Sequence, residues 1–233
     1  MLCAIMQPTY LPWCGYFHLI DRADCFIFLD DVQFERRSWQ SRNRIALNGQ
    51  ECMLTVPTRK TPRCTPLNQI AVSEHIDWRT RHARSLSQAY GKHPHGSDVL
   101  DQILPMLEDR RIDSLVELTT GLTRVMSNAL GLETRFELAS SMRVGGRRTE
   151  HLQRLCHAIG ARHYLSAPGS KGYLERDGFT DGSGLTLEFS DFIATDYPQR
   201  GVTGGFISHL SLVDVWANMG RNQTVEYIRR RRL

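Results

Sequence analysis

The stretch that decides the fold runs from Leu2 to Asp31 and reads LCAIMQPTYLPWCGYFHLIDRADCFIFLDD. Its first part, 2–7, is mostly apolar and stops at a proline, a pattern that predicts a short buried strand. Apolar side chains then recur at helical spacing over 12–23, with a proline in the first turn, where its missing N–H costs nothing. The segment 24–31 is apolar at every central position and predicts a second strand, covered on both faces.

A strand, a helix and a strand in succession form a βαβ unit. The two strands of such a unit lie parallel and are joined by a right-handed crossover. Ligands of parallel sheets bind beyond the carboxyl ends of the strands. The pattern therefore predicts a candidate site at residues 7–10 and 30–33.

The remaining chain alternates further predicted strands and helices, without an internal repeat or a low-complexity linker. We expect an α/β fold with a parallel-sheet, Rossmann-like core that begins with the βαβ unit. It forms a single domain over 1–233 and includes a helical subdomain near 75–130. The later strands are expected at 52–57, 163–166 and 185–189, and the later helices at 77–90, 98–129, 149–159 and 210–219.

The composition is that of a globular protein. Hydrophobic residues make up 41% and charged residues 23% of the 233 residues, which excludes disorder along the whole chain. No stretch approaches the roughly 18 to 20 apolar residues of a membrane helix, and the start does not resemble a signal peptide, so we expect a cytoplasmic protein. The six cysteines form no close pair and are expected to be reduced thiols, with no metal site.

The charge pattern leaves two interpretations open. The formal net charge is +4, and all but three of the 29 basic residues are arginines. Codon usage in a GC-rich genome is one explanation, and recognition of phosphate or carboxylate by guanidinium groups is the other. The basic residues are spread along the chain and the aromatic residues cluster with carboxylates, which argues against a nucleic-acid partner.

Polar and aromatic side chains concentrate in the first 44 residues, around the predicted strand ends. This pattern is typical of a small-molecule pocket. The proton-transfer candidates are Asp30, Asp31 and His82, although a structural role for each is an open alternative. The substrate-binding candidates are Gln7, Thr9, Tyr10, Trp13, Tyr16, Gln33, Arg42, Asn43, Arg44, Tyr90, Ser170, Lys171 and Tyr173.

Several of these candidates have specific expected arrangements. Arg42 and Arg44 would hold one anion around Asn43, and the aromatic rings would form an apolar wall. His151, with His157 and His163, shares no helix face and receives no role. One cavity is expected to be lined by Gln7, Tyr10, Asp31, Gln33, His82 and Tyr173.

Three motifs resemble the WbqC-like protein family: QPTYLPWCGYF at 7–17, DDVQF at 30–34 and WQSRNRI at 39–45. The resemblance continues to about residue 220 and therefore covers nearly the whole chain. Ser41 and Thr119-Thr120 depart from the expected pattern. The family is associated with bacterial surface-polysaccharide (O-antigen, lipopolysaccharide) gene clusters, so the resemblance implies a biological setting rather than a reaction.

A weaker resemblance connects the chain to the nucleotidylyltransferase superfamily. That superfamily carries a His-x-Gly-His motif where this chain has Trp13-Cys-Gly-Tyr16, and its second phosphate loop is loosely similar to 165–171. Both histidines are absent, which removes the usual way of holding a triphosphate. A nucleotide-shaped pocket used for a nucleotide-linked sugar or another activated donor is compatible with this pattern.

We therefore expect an enzyme of bacterial surface-polysaccharide biosynthesis. It would be a transferase that acts on an activated or amino sugar, or on an acyl, aminoacyl or nucleotide donor. Its substrate would be a small molecule that carries phosphate or carboxylate, a nucleotide sugar being one candidate, and the sequence does not identify a cofactor. The alternative is a non-catalytic binding or partner protein that uses an arginine-rich, anion-binding surface.

Overall fold

The computed structural model describes residues 1–230, and the last three residues of the predicted domain lie outside this part. The βαβ unit is confirmed. Strand β1 (Leu2–Met6) is followed by helix α1 (Cys14–Arg22) and strand β2 (Cys25–Phe28). The two strands pair in parallel, with Cys3 opposite Cys25.

The main sheet contains β1 and β2 with three later strands, β5 (Arg135–Leu138), β6 (His163–Ser166) and β7 (Thr186–Phe189). Their order is β5-β2-β1-β6-β7, and all four pairings are parallel. The α/β, Rossmann-like fold is therefore confirmed. The order reverses between β1 and β6, because β2 and β5 lie on one side of β1 whereas the later strands β6 and β7 lie on the other side.

Helices cover both faces of this sheet. After α1 these are α2 (Trp78–Tyr90), α3 (Gly96–Glu108), α4 (Leu115–Ala129), α5 (Ala139–Met142), α6 (Arg148–Ala158), α7 (Lys171–Arg176) and α8 (Leu212–Ile228). In β2, Phe26 and Phe28 pack into the core beneath α1, α8 and the helices α2–α4, whereas Cys25 and Ile27 pack against α6 and α7. Successive side chains of a strand point to opposite faces, which explains why all four positions of β2 are buried.

A separate antiparallel hairpin lies beside the sheet and is formed by β3 (Arg42–Leu47) and β4 (Gln50–Thr55). Its two-residue turn has positive φ at Asn48 (53°) and Gly49 (73°), the conformation for which Asn-Gly is the favoured pair. The Asn43 amide donates to the carbonyl oxygens of Tyr10 and Leu11, at 3.0 and 2.8 Å. The hairpin is thereby anchored to the loop that follows β1.

An irregular segment, 190–211, connects β7 to α8. It returns to the start of α1, where Trp13 and Ser211 form an isolated β-bridge and the Leu212 N–H donates to the Pro12 carbonyl at 2.9 Å. No helix within 1–230 is long and apolar enough to cross a membrane.

Candidate functional site

A cavity of about 320 Å³ lies at the carboxyl-terminal edge of the sheet, and a smaller one of about 80 Å³ adjoins it. The smaller cavity reaches from Met6, the last residue of β1, to Ala167 and Pro168, which follow β6. The cavities therefore lie where the strand order reverses, the usual ligand position in sheets of this kind. The larger cavity is lined by Met6, Thr9, Trp13, Tyr16, Trp39, Asn43, Arg44 and His209.

Trp13 lines both cavities, and its indole packs against two other rings. Its ring meets Phe192 edge-on at a centroid distance of 5.5 Å and His209 at 5.0 Å. A Cβ atom at Gly15 would lie only 2.3 Å from Trp13 Cζ2. The Trp-x-Gly pattern therefore has a packing reason: the indole occupies the space that a side chain at position 15 would need.

Arg44 brings a guanidinium group to the cavity, where it is paired with a carboxylate. One of its terminal nitrogens lies 2.8 Å from a Glu51 carboxylate oxygen, and the other donates to the His209 carbonyl at 3.2 Å. The guanidinium carbon lies 5.4 Å from the centre of the Trp39 ring, and that of Arg42 lies 6.0 Å from the same ring. The two arginines share one face of β3, with Trp39 between the hairpin and solvent, and such a group can hold an anionic substituent of a ring-containing ligand.

Gln7 is exposed at the end of β1 and is oriented by a buried neighbour. The Gln40 amide donates to Gln7 Oε1 at 2.8 Å, while Gln40 Oε1 accepts from the Glu35 backbone N–H at 2.8 Å. Gln33 is also exposed, and its backbone forms a bridge to Pro66. Gln40 therefore fixes the course of residues 33–40 over the sheet edge.

The three proton-transfer candidates lie in different environments. Asp30 is buried, and its carboxylate accepts from the Ser140 backbone N–H at 2.9 Å and from the Ser140 hydroxyl at 2.6 Å. Asp31 is half-buried and pairs with His151, whose Nε2 lies 3.0 Å away. Asp30 therefore holds the start of α5, whereas Asp31 retains contact with solvent.

His82 is buried against Tyr10 rather than paired with an acid. The Tyr10 hydroxyl lies 2.8 Å from His82 Nδ1, and burial lowers the pKa of His82 to about 4, although a hydrogen bond to the Thr55 backbone opposes this. The imidazole is therefore neutral at pH 7. Tyr10 has no exposed surface.

Tyr90 belongs to a buried polar network. Its hydroxyl donates to Asp214 Oδ2 at 2.9 Å and accepts from the Ala46 N–H at 3.1 Å, and Tyr197 donates to Asp214 Oδ1 at 2.7 Å. Burial raises the pKa of Asp214, and the hydrogen bonds from the two tyrosines and Gln199 oppose the increase. The network joins α2, the hairpin and α8.

The candidates that follow β6 lie on α7 and at its start. Ser170 shares a 2.5 Å hydrogen bond with Ser166. Lys171 is exposed, lies 3.8 Å from Glu175 and approaches the Phe189 ring at 5.9 Å. Tyr173 is half-buried, and burial raises the pKa of its hydroxyl. The strand before them is parallel to β1, as expected.

The large cavity thus brings together five predicted residues, Thr9, Trp13, Tyr16, Asn43 and Arg44. The other candidates do not line it, and their roles stay predictions. Sequence reasoning missed the lining residues Met6, Trp39 and His209. Trp39 carried a usable signal, since it stands in the WQSRNRI motif beside two arginines, whereas nothing local distinguished His209. Among residues 1–230, His, Cys, Asp and Glu side chains form no group of three that could hold a metal ion.

Comparison with known proteins identifies the relationship. The model of the WbqC-like protein family matches residues 7–226. The chain belongs to the WbqC-like family. One relative of this WbqC-like chain is the uncharacterized protein Rv1507c of Mycobacterium tuberculosis (strain ATCC 25618 / H37Rv), which is 30% identical over 226 residues, covering 97% of this chain and 96% of the relative. No solved structure matches the chain.

Proposed function

We propose that this WbqC-like protein is a transferase of bacterial surface-polysaccharide biosynthesis that binds an activated donor in the large cavity. The donor would be an activated or amino sugar, or a molecule with an acyl, aminoacyl or nucleotide group. The observation that carries the proposal is the cavity itself: two tryptophans and an arginine line one space at the strand-order reversal.

The size and chemistry of the cavity support this assignment. Its volume of about 320 Å³ lies at the lower end of the range typical for small-molecule pockets, roughly 300 to 1,000 Å³. Trp13 and Trp39 offer ring faces to a base or a sugar, and Arg44 offers hydrogen bonds to a phosphate or carboxylate. An elongated ligand could continue past Trp13 into the smaller cavity, which is lined mainly by apolar residues.

The test is a binding survey with UDP, UDP-N-acetylglucosamine, other nucleotide sugars and acyl or aminoacyl donors. Binding is measured by tryptophan fluorescence and by the rise in melting temperature that a ligand specific for the native state must cause. Arg44→Gln and Trp39→Ala are each expected to weaken binding by about 10- to 100-fold, since a charge-assisted hydrogen bond or a stacked ring contributes roughly 1 to 3 kcal/mol.

Arg110→Gln is the matched control. Arg110 also forms a carboxylate pair, at 2.7 Å from Asp77, but it lies outside the cavity lining. Its substitution should leave the affinity unchanged. Equal losses in Arg44→Gln and Arg110→Gln, or no binding by any donor, would refute the proposal. Binding without transfer to any acceptor would favour the non-catalytic alternative.

A further inference from the structure

We propose that Asp31 and His151 form the acid–base pair of this site and share one proton that a bound ligand can exchange. The inference rests on the proposed function and adds His151 to it, a residue without a role in the sequence reasoning. Asp31 follows β2, whose neighbour β1 ends at the cavity residue Met6, and the Leu29 N–H donates to the Met6 carbonyl at 2.8 Å. The pair therefore lies at the same sheet edge as the cavity.

The hydrogen bonds of His151 require a proton in the pair. Nε2 lies 3.0 and 3.2 Å from the two Asp31 carboxylate oxygens, and Nδ1 lies 3.2 Å from the Gly145 carbonyl oxygen. A carbonyl can only accept, so Nδ1 must carry a hydrogen. The contact between Nε2 and Asp31 then needs a second hydrogen, on Nε2 or on the carboxyl group. The pair therefore holds one proton more than an ionised aspartate with a neutral imidazole.

The loop before α6 is shaped around this histidine. Gly146 has a φ of 106°, and a Cβ atom there would lie 3.0 Å from the His151 backbone nitrogen and 3.1 Å from its Cα. A side chain at 146 would push the loop away and with it the Gly145 carbonyl. The absence of a side chain at Gly146 thus allows the loop to place the Gly145 carbonyl oxygen within 3.2 Å of His151 Nδ1.

Exposure separates this pair from the other acid–base candidates. The Asp31 side chain is 24% exposed and that of His151 is 10% exposed, so a ligand can reach the carboxylate. Asp30, in contrast, is 1% exposed and has both oxygens engaged by Ser140. His82 is buried and its imidazole is neutral near pH 7, because burial lowers its pKa to about 4.

The surrounding charges favour retention of the shared proton. The hydrogen bond to Asp31 raises the pKa of His151, and the Gly145 carbonyl acts in the same direction, while burial and Arg154 oppose them. Arg154 is itself paired with Glu150, at 2.6 Å. The other charged groups of this region are Arg143 and Arg147, which are exposed, and Arg148, which lies 3.3 Å from Asp177.

In a transfer reaction the pair would take a proton from the acceptor and supply a proton to the leaving group. The acceptor's oxygen or nitrogen forms the new bond to the transferred group and gives its proton to Asp31. The bond to the leaving group breaks, and the leaving group keeps the electron pair and takes a proton from the pair. Asp31 and His151 end the cycle with the one proton that they held at the start.

The test follows the His151 ring nitrogens by NMR across pH, with and without saturating UDP as the probe. In the wild-type protein both nitrogens should be protonated at neutral pH, and the ring should titrate above the ordinary histidine value. Asp31→Asn should lower that pKa, because the hydrogen bond to Asp31 is the largest cause of its increase. Asp101→Asn, which removes an exposed carboxylate on α3, should leave it unchanged. Binding of UDP should shift the pKa of His151. By linkage, the protonated and deprotonated forms of the pair should differ in their affinity for UDP by the factor that corresponds to this pKa shift.

Several outcomes would overturn the inference. A wild-type titration at or below the ordinary value, or one that Asp31→Asn does not move, removes the shared proton. If UDP binds without moving the titration, the pair lies outside the site, while the proposed function stands. If no donor binds, the proposed function fails and the inference with it. Should Asp31→Asn not fold, His151→Gln replaces it. The part of the pH dependence of UDP affinity that exceeds the titration of the UDP phosphate itself is then expected to disappear.

Discussion

Replacement of Gly15 by alanine should displace the Trp13 indole and impair the cavity while changing overall stability only modestly. The added Cβ atom would lie 2.3, 2.5 and 2.8 Å from three atoms of the indole. Carbon atoms in contact normally lie about 3.5 to 4.0 Å apart, so the ring must move by at least about 1 Å. Because it packs against Phe192 and His209, this movement breaks both ring contacts.

Two opposing terms set the expected stability change. Overpacking of this kind costs about 1 to 3 kcal/mol, whereas alanine in place of glycine within a helix gains about 1 kcal/mol. We therefore expect a net loss of about 0 to 2 kcal/mol in the free energy of unfolding. Donor affinity should fall by about tenfold or more, since even 1.4 kcal/mol of lost contact has that effect.

The assay is ¹⁹F NMR of protein labelled with 5-fluorotryptophan. The chain has four tryptophans, and the Trp13 resonance should shift while those of the buried Trp78 and Trp216 stay in place. Gly204→Ala is the control, because a Cβ atom there meets nothing within 4 Å. An unchanged Trp13 resonance together with unchanged donor affinity would refute the reasoning.

Two further predictions concern buried polar groups. The pKa of His82 is about 4 in the folded protein and about 6.5 in the unfolded chain. Below pH 6.5 the unfolded chain therefore takes up a proton that the folded protein does not. As the pH falls from 6.5 to 4, the free energy of unfolding should decrease by about 3 kcal/mol. Denaturant titrations at pH 7 and pH 4.5 should show a smaller loss for His82→Gln, and an equal loss would contradict the assignment. Tyr90→Phe should cost about 1 to 3 kcal/mol, because it removes the hydrogen bond to Asp214 Oδ2 and leaves the buried Ala46 N–H without its acceptor, while Tyr197 still donates to Oδ1; a free energy of unfolding within about 0.5 kcal/mol of the wild type would exclude the Tyr90 bonds as a source of stability.

The βαβ unit was readable from the sequence because its determinants are local. A continuous apolar run such as 25–29 can be buried only between two layers, and that condition implies a parallel sheet with helices on both faces. The carboxyl ends of β1 and β2 then have to meet, which located residues 7–10 at the sheet edge. Thr9 was found in this way, and Trp13 and Tyr16 were found because polar and aromatic residues concentrate around the predicted strand ends. All three line the cavity.

The partners of these residues were decided by tertiary structure, because they come from distant parts of the chain. Asp31 meets His151, which lies 120 residues later, and the spacing of histidines along α6 says nothing about the strand end that the helix approaches. His209 reaches the cavity from an irregular segment with no periodicity to interpret. Strand order also depends on which face each crossover covers, so only the packed structure places β6 beside β1 and creates the space between them.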